Sequence, residues 1–369
     1  MKIRFWQNHI SLHQSEVLCS LASIANVEVS IVVSGELSIH RIRHGWREPK
    51  LTKVAVERGI TSSKLTDLFC DKQDVEIFSA PWGNSSLRSA FRTAMSRSIT
   101  SALMSEPYDW RGMVGYLRVL RGCMHEKLYQ KKLAFVLAIG TLAEEWFLKC
   151  GYPIHKIYPY AYTTAIKNRS VSENDRPCVK RILYVGQLIS RKGVGRLLEA
   201  LGRLKGYNWQ LEIIGTGPLE WYFHKMAEVY SVSERVRFTG RVENARIHEY
   251  IQNSDVLVLP SYWDGWGAVV NESLHHGVPV ICSNHCGAQC LIDKRTEGLV
   301  FESASFDALK ASLESVLTSP PLSCVERSLI AKQSIRFSGN FVAEYLLRIV
   351  RYAVRREGCR PIPPWLRQE

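Results

Sequence analysis

Short apolar runs recur through the C-terminal half of this chain: RILYVG (181–186), WQLEIIG (209–215), RVRFTG (235–240), DVLVLP (255–260) and VPVIC (278–282). Short runs of this kind, with few polar alternations, are what strands covered on both faces look like, and such strands belong to parallel sheets. Parallel neighbours need crossover segments, and VGRLLEALGRL and ARIHEYIQNS, which lie between the runs, have helical spacing. An earlier series repeats the pattern: KIRFW (2–6), VEVSIVV (27–33), DVEIF (74–78), SALMSE (101–106) and FVLAIG (135–140). The expected fold class is therefore α/β, with two doubly wound, Rossmann-like domains. A chain of 369 residues accommodates both.

The segment TTAIKNRSVSENDRPCVK (163–180) is polar, aperiodic and contains Pro177, which marks a linker. The expected organisation is a first domain over 1–165, a linker over 166–180, a second domain over 181–337, and a C-terminal helix with tail over 338–369. That helix, SGNFVAEYLLRIVRYAVRR (338–356), is amphipathic and follows the last strand of the second series. It can pack on the second domain or return to the first.

The formal charge is +13, with Arg88, Arg92, Arg97, Arg118, Arg121, Lys127, Lys131 and Lys132 on helical segments of the first domain. An anionic membrane surface or an anionic substrate suits that field better than nucleic acid, since no nucleic-acid module signature accompanies it. The ten cysteines follow no framework and read as reduced thiols. MKIRFWQNHISLHQSEV has no signal-peptide core, and no apolar run approaches the ~20 residues of a membrane span. A cytoplasmic protein, peripheral at the inner face of a membrane, is the expectation.

In open parallel sheets, ligands bind beyond the carboxyl ends of the strands. After RILYVG comes QLISRKGV (187–194), with Arg191 and Lys192 in a loop that leads into a helix, a place suited to phosphate. After LEIIG, which ends at Gly215, the loop TGPLE breaks the dinucleotide fingerprint because Glu220 stands where its third glycine belongs. After DVLVLP comes SYWDGWGAVVNESLHHG (261–277): Asp264, then Gly265, Trp266 and Gly267, then Glu272 on a helix expected from about Trp266 to His276. Taken singly, Asp264 reads as a helix cap and Glu272 as a solvated acid.

Together these features resemble the Glu-x7-Glu motif of the family 4 glycosyltransferases, with Asp264 in the place of the first acid. The resemblance covers nearly all of the second domain, through GQLISRKGV, RFTGRV, DVLVLPSYWDGWG and GVPVICSNHCGAQCLI. It implies a GT-B fold, two domains facing across a cleft with the C-terminal helix crossing back to the first, and retaining transfer from a nucleotide sugar without a cofactor or metal. It further implies that Lys192 holds the donor diphosphate, and that Asp264 and the backbone of Gly265, Trp266 and Gly267 read the sugar and a phosphate. Glu272 would accept from the ribose hydroxyls, and the backbone around Arg241 and Val242 would meet the base. The acceptor implied is a glycan or lipid-linked glycan of a bacterial surface polysaccharide. Such roles make chemical sense, because breaking a sugar–phosphate bond leaves charge on the departing nucleotide that cations and helix N–H groups stabilise.

The chain departs from the family at three places. Gln187 stands where the phosphate loop has an arginine, leaving Arg191 as substitute; the first acid is Asp; and the first domain lacks the family's glycine-rich loop and histidine. Glu106 occupies the histidine's place, and His9 and His13 could face the acceptor. A zinc site drawn from Cys282, His285, Cys286 and Cys290 fits no standard spacing, and the chain has no Asp-x-Asp. A nucleotide-sugar epimerase on the same fold, or an inactive nucleotide- or glycan-binding member, are the alternatives.

Overall fold

The computed structural model of the chain describes residues 1–37, 42, 47–60, 62–166, 179–294 and 296–366. They fall into two compact units, one running to Ala165 and resuming at Arg336, the other from Ile166 to Ile335. Most of the expected linker, 166–180, lies outside the described residues.

The first unit alternates strands and helices: β1 (Lys2–Gln7), α1 (Leu12–Ala22), β2 (Glu28–Val33), β3 (Val54–Arg58), α2 (Ser62–Cys70), β4 (Val75–Ser79), α3 (Ser85–Ser96), β5 (Ser101–Ser105), α4 (Gly112–Lys127), β6 (Phe135–Ile139), α5 (Thr141–Lys149) and β7 (Ile157–Tyr160). All pairings are parallel, in the order β3-β2-β1-β4-β5-β6-β7. The central strands are buried along their whole length, as in FVLAI of β6. That burial is why they read as unbroken apolar runs. Trp6, Phe78, Phe91, Trp146 and Phe147 fill the core on one face of this sheet.

The second unit repeats the scheme with β8 (Lys180–Val185), α6 (Val194–Arg203), β9 (Trp209–Ile214), α7 (Glu220–Val229), β10 (Val236–Gly240), α8 (Ile247–Gln252), β11 (Val256–Leu259), α9 (Val269–His275), β12 (Val280–Ser283), β13 (Gly298–Phe301), α10 (Phe306–Thr318) and α11 (Cys324–Gln333). The order is β10-β9-β8-β11-β12-β13, again wholly parallel. Chain order therefore reverses between β8 and β11, which makes their carboxyl ends the switch point of this sheet.

The last helix, α12 (Gly339–Val350), belongs to the first unit and packs along α1. It buries Val342, Leu346, Ile349 and Val350. Shorter than the 338–356 expected, it passes into a π-helical turn over Arg351–Arg355 that ends at Arg356 with φ +61°. The tail is tied down by charge-assisted bonds. Arg355 pairs with Asp74 at 2.9 Å, and Arg360 donates to the carbonyls of His155 and Ile157 at 2.7 and 2.6 Å.

Candidate active site at the switch point of the second sheet

Three loops meet beyond the carboxyl ends of β8, β11 and β12. The first, after β8, makes a 3₁₀ turn over Ser190–Lys192 and enters α6 through Gly193, whose φ is +72°. A Cβ on Gly193 would lie 1.9 Å from the carbonyl oxygen of Pro260, so only glycine lets this loop touch the one after β11. Beyond that contact the two loops are joined residue by residue. The Tyr262 N–H donates to the Arg191 carbonyl at 2.8 Å, Arg191 Nη1 donates to the Trp263 carbonyl at 3.0 Å, and the Lys192 ammonium pairs with the Asp264 carboxylate.

Arg196, one turn into α6, holds this junction from below. It is buried, and its guanidinium donates to the carbonyls of Pro260 (2.8 Å), Ser261 (3.3 Å) and Ser303 (2.6 Å). The rings of Tyr262 and Phe301 lie 4.3 and 5.1 Å from it. Burial pulls its pKa below the ordinary arginine value, and the carbonyls and rings compensate the buried charge.

The loop after β11 is fastened in turn to the loop after β12. Asp264 donates its N–H to the His285 carbonyl at 2.8 Å and accepts from Gly287 N–H at 3.0 Å, and Ala288 N–H reaches the Trp266 carbonyl at 2.8 Å. Ser283 Oγ donates to the Ser261 carbonyl at 2.6 Å. The helix that follows starts at Val269, not near Trp266, so Asp264 stands in the loop ahead of it. The reason is Gly267, whose φ of +89° lies outside the helical region. Glu272, half-buried, falls in the first turn of α9, where a carboxylate also suits the helix dipole.

The remaining candidates of the second unit surround this junction. Gln187 and Arg191 are exposed in the β8 loop, and the Gln187 carbonyl accepts from Tyr184 Oη at 2.9 Å. Gly215 closes β9 and donates to the Gly240 carbonyl at 2.8 Å, and Arg241 and Val242 follow β10 directly. Trp266 is buried, its indole N–H donating to Asn271 Oδ1 at 2.9 Å, so what it offers at the surface of the loop is backbone. Gly265 is half-buried beside it. His9, His13 and Glu106 belong to the first unit, His9 and His13 after β1 and Glu106, exposed, after β5. The His13 ring lies 5.7 Å from that of Tyr162.

The cysteine-rich loop works as a scaffold. A hydrogen bond with Cys286, and then burial, push the Cys282 thiol well above the ordinary value, while Cys286 Sγ donates to the Trp266 carbonyl at 3.0 Å. Among the described residues no group of three or more His, Cys, Asp or Glu side chains is arranged to hold a metal ion.

Sequence reasoning missed Arg196 and Asn271. The available signal was a charged or amide side chain set directly beside the apolar stripe of its helix, next to Leu197 and Val270.

The fold is that of the GT-B glycosyltransferases. The lipopolysaccharide outer core galactosyltransferase WaaB superposes with a TM-score of 0.69 at 18% identity, covering 96% of this chain and 99% of that one. The Anabaena protein HepE in complex with UDP superposes with a TM-score of 0.70 at 12% identity, covering 94% and 99%. More particularly, residues 167–331, nearly all of the second unit, match the model of the glycosyl transferases group 1 family. The alpha-D-kanosaminyltransferase of Streptomyces kanamyceticus is 27% identical over 208 residues, 52% of this chain and 53% of that protein. LpsE, a lipopolysaccharide core biosynthesis glycosyltransferase of Rhizobium meliloti, is 30% identical over 137 residues, 37% of this chain and 39% of that protein. Such matches span between about a quarter and somewhat over half of the length of the curated relatives.

Proposed function

We propose that the chain is a glycosyltransferase that moves a sugar from a nucleotide-sugar donor to an acceptor hydroxyl, with the donor diphosphate at Lys192. The observation that carries this reading is the Lys192–Asp264 pair, held at the switch point of a group 1 domain. Both side chains are nearly buried, at 13% and 11% exposure, which strengthens their attraction and equally that of Lys192 for any anion that competes. A diphosphate brings more than one negative charge to that ammonium. Once it does, the Asp264 carboxylate is available to accept from sugar hydroxyls.

The rest of the reaction follows from the same layer. Lys192 and the loop N–H groups stabilise charge on the departing nucleotide, and Arg191 adds a second cation beside them. Glu272 accepts from the ribose, and the backbone at Arg241 and Val242 lies against the base. Gly265, Trp266 and Gly267 supply close backbone approach to the sugar. The sugar keeps its anomeric configuration, and no step requires a metal. Relatives named for lipopolysaccharide assembly support a lipid-linked glycan as acceptor.

Incubating the protein with a panel of nucleotide sugars, with and without glycan acceptors, tests this. The expected result is acceptor-dependent release of nucleotide that survives EDTA and falls to background in Glu272→Ala. Loss in EDTA that a divalent cation restores would contradict the metal-free step, and full conversion of donor to an isomer without acceptor would show an epimerase.

A further inference from the structure

At the amino ends of β5, β6 and β7, opposite the strand ends where an open parallel sheet usually takes its ligands, the first unit holds a cavity of about 480 Å³. The turn before each strand supplies one wall: residues 98–100 ahead of β5, 131–134 ahead of β6, and 155 and 156 ahead of β7. The π-helical turn after α12 supplies a fourth, through Tyr352 and Arg356.

Cations dominate the lining. Lys131, Lys132, Lys156 and Arg356 contribute to it with His155, and none of the described residues that line it is acidic. Lys156 Nζ donates to the carbonyls of Gln130, Lys131 and Leu133 at 2.9, 3.1 and 2.7 Å, and Lys132 Nζ to the Met95 carbonyl at 3.2 Å. Carbonyls satisfy these hydrogens without bringing a full negative charge. Burial, and then the guanidinium of Arg356, pull the Lys156 pKa below the ordinary lysine value. Like charges gathered in a recess repel one another and attract an anion. Two of the turns also hold a left-handed backbone at residues other than glycine, with φ +55° at Ser98 and +61° at Arg356. Glycine is the usual choice at such helix ends, so a hydroxyl and a guanidinium are placed at this cavity against conformational preference.

We infer that this cavity binds a small solute carrying two or more phosphate groups, with Lys131 and Arg356 on the phosphates and the tethered ammonium groups of Lys132 and Lys156 supplying the field behind them. A concave recess of this volume is of the size that takes a small molecule. Lysine meets phosphate as a point charge and arginine as a two-pronged donor, so the pair can grip neighbouring phosphates. Four cations without an acid among the described lining residues match clustered negative charge better than a single monoanion. The proposal rests on the first unit alone and is independent of the sugar-transfer reading.

Titration calorimetry of the full chain with inorganic tripolyphosphate tests it, in a Lys192→Ala background so that the lysine of the second unit's loop takes no part. The expected result is one equivalent bound by that protein, and binding about tenfold or more weaker once Lys131→Gln and Arg356→Asn are added. Both residues are exposed, and asparagine tolerates the left-handed backbone at 356, so Tm without the anion stays unchanged. Tripolyphosphate raises Tm only where both cations are present. Lys205→Gln with Lys225→Gln removes the same charge from exposed positions of the second unit and leaves the affinity as it was. No binding, equal binding with and without the Lys131 and Arg356 changes, or an equal loss in the Lys205 and Lys225 control overturns the proposal. Loss of binding to phosphatidylglycerol vesicles in the Lys131 and Arg356 variant, with tripolyphosphate affinity unchanged, overturns it too, by assigning these cations to a lipid headgroup.

Discussion

Arg196 carries an unmatched share of the site's construction, since one guanidinium satisfies three carbonyls from two loops while burying its charge between two rings. Arg196→Met keeps much of the volume but strands those acceptors. It should destabilise the second unit by about 3 kcal/mol, a fall in Tm of roughly 6–12 °C for a unit of this size. Donor KM should rise with it, and calorimetry with steady-state kinetics reads both. His275 offers a different test. Burial, more than its neighbour His276, depresses its pKa to about 3, and Nδ1 lies 2.7 Å from Ser334 Oγ. A histidine held neutral in the fold, with an ordinary value of 6.5 once unfolded, contributes stability that is complete above pH 6.5 and is lost as pH falls toward 3. The melting temperature should therefore drop between pH 6.5 and pH 5, and His275→Gln should flatten that drop. A slope identical in the two proteins would remove His275 from the acid limb.

Among the elements, the central strands, the β10 edge and most helices were legible, and the other three sheet edges were not. FVLAI and VLVL announce themselves because two covered faces demand unbroken apolar residues. VAVER of β3 is an exposed edge, IYPY of β7 carries Pro159, and GLVF of β13 is fully buried only at Phe301, so none shows the pattern. Pro159 fits there because β7 is an edge strand, paired only with β6, and a proline's missing N–H can face away from the ladder. The start of α9 was misread for a similar reason: helical spacing runs back through Trp266, but a positive φ at Gly267 ends the helix at Ala268. Gly267→Ala should strain that turn by about 1 kcal/mol or more and shift Asp264. Donor affinity would fall more than Tm does, and equal wild-type affinity would show that the turn does not position the acid.

At the scale of the molecule, the two βα series were readable as two sheets because crossover topology leaves so few alternatives. The contacts that make the site were not, because the close approach of Gly193 to the Pro260 carbonyl, an Arg196 clamp and a Lys192–Asp264 pair each join residues more than sixty positions apart. Only the resemblance of the loop motifs to one family brought Lys192, Asp264 and Glu272 into one list. The proposed reaction requires Lys192 to hold the diphosphate of a nucleotide sugar. Titration calorimetry of a nucleotide-sugar panel against wild type, Lys192→Ala and the control Lys225→Ala tests it, since Lys225 is exposed and pairs only with Glu228 on its own helix in the contacts described. At least one nucleotide sugar is expected to bind the wild type and the control alike, and to bind Lys192→Ala about tenfold or more weakly, the loss of one charge-assisted contact. Equal affinity for all three proteins, or no binding by any member of the panel, would contradict it.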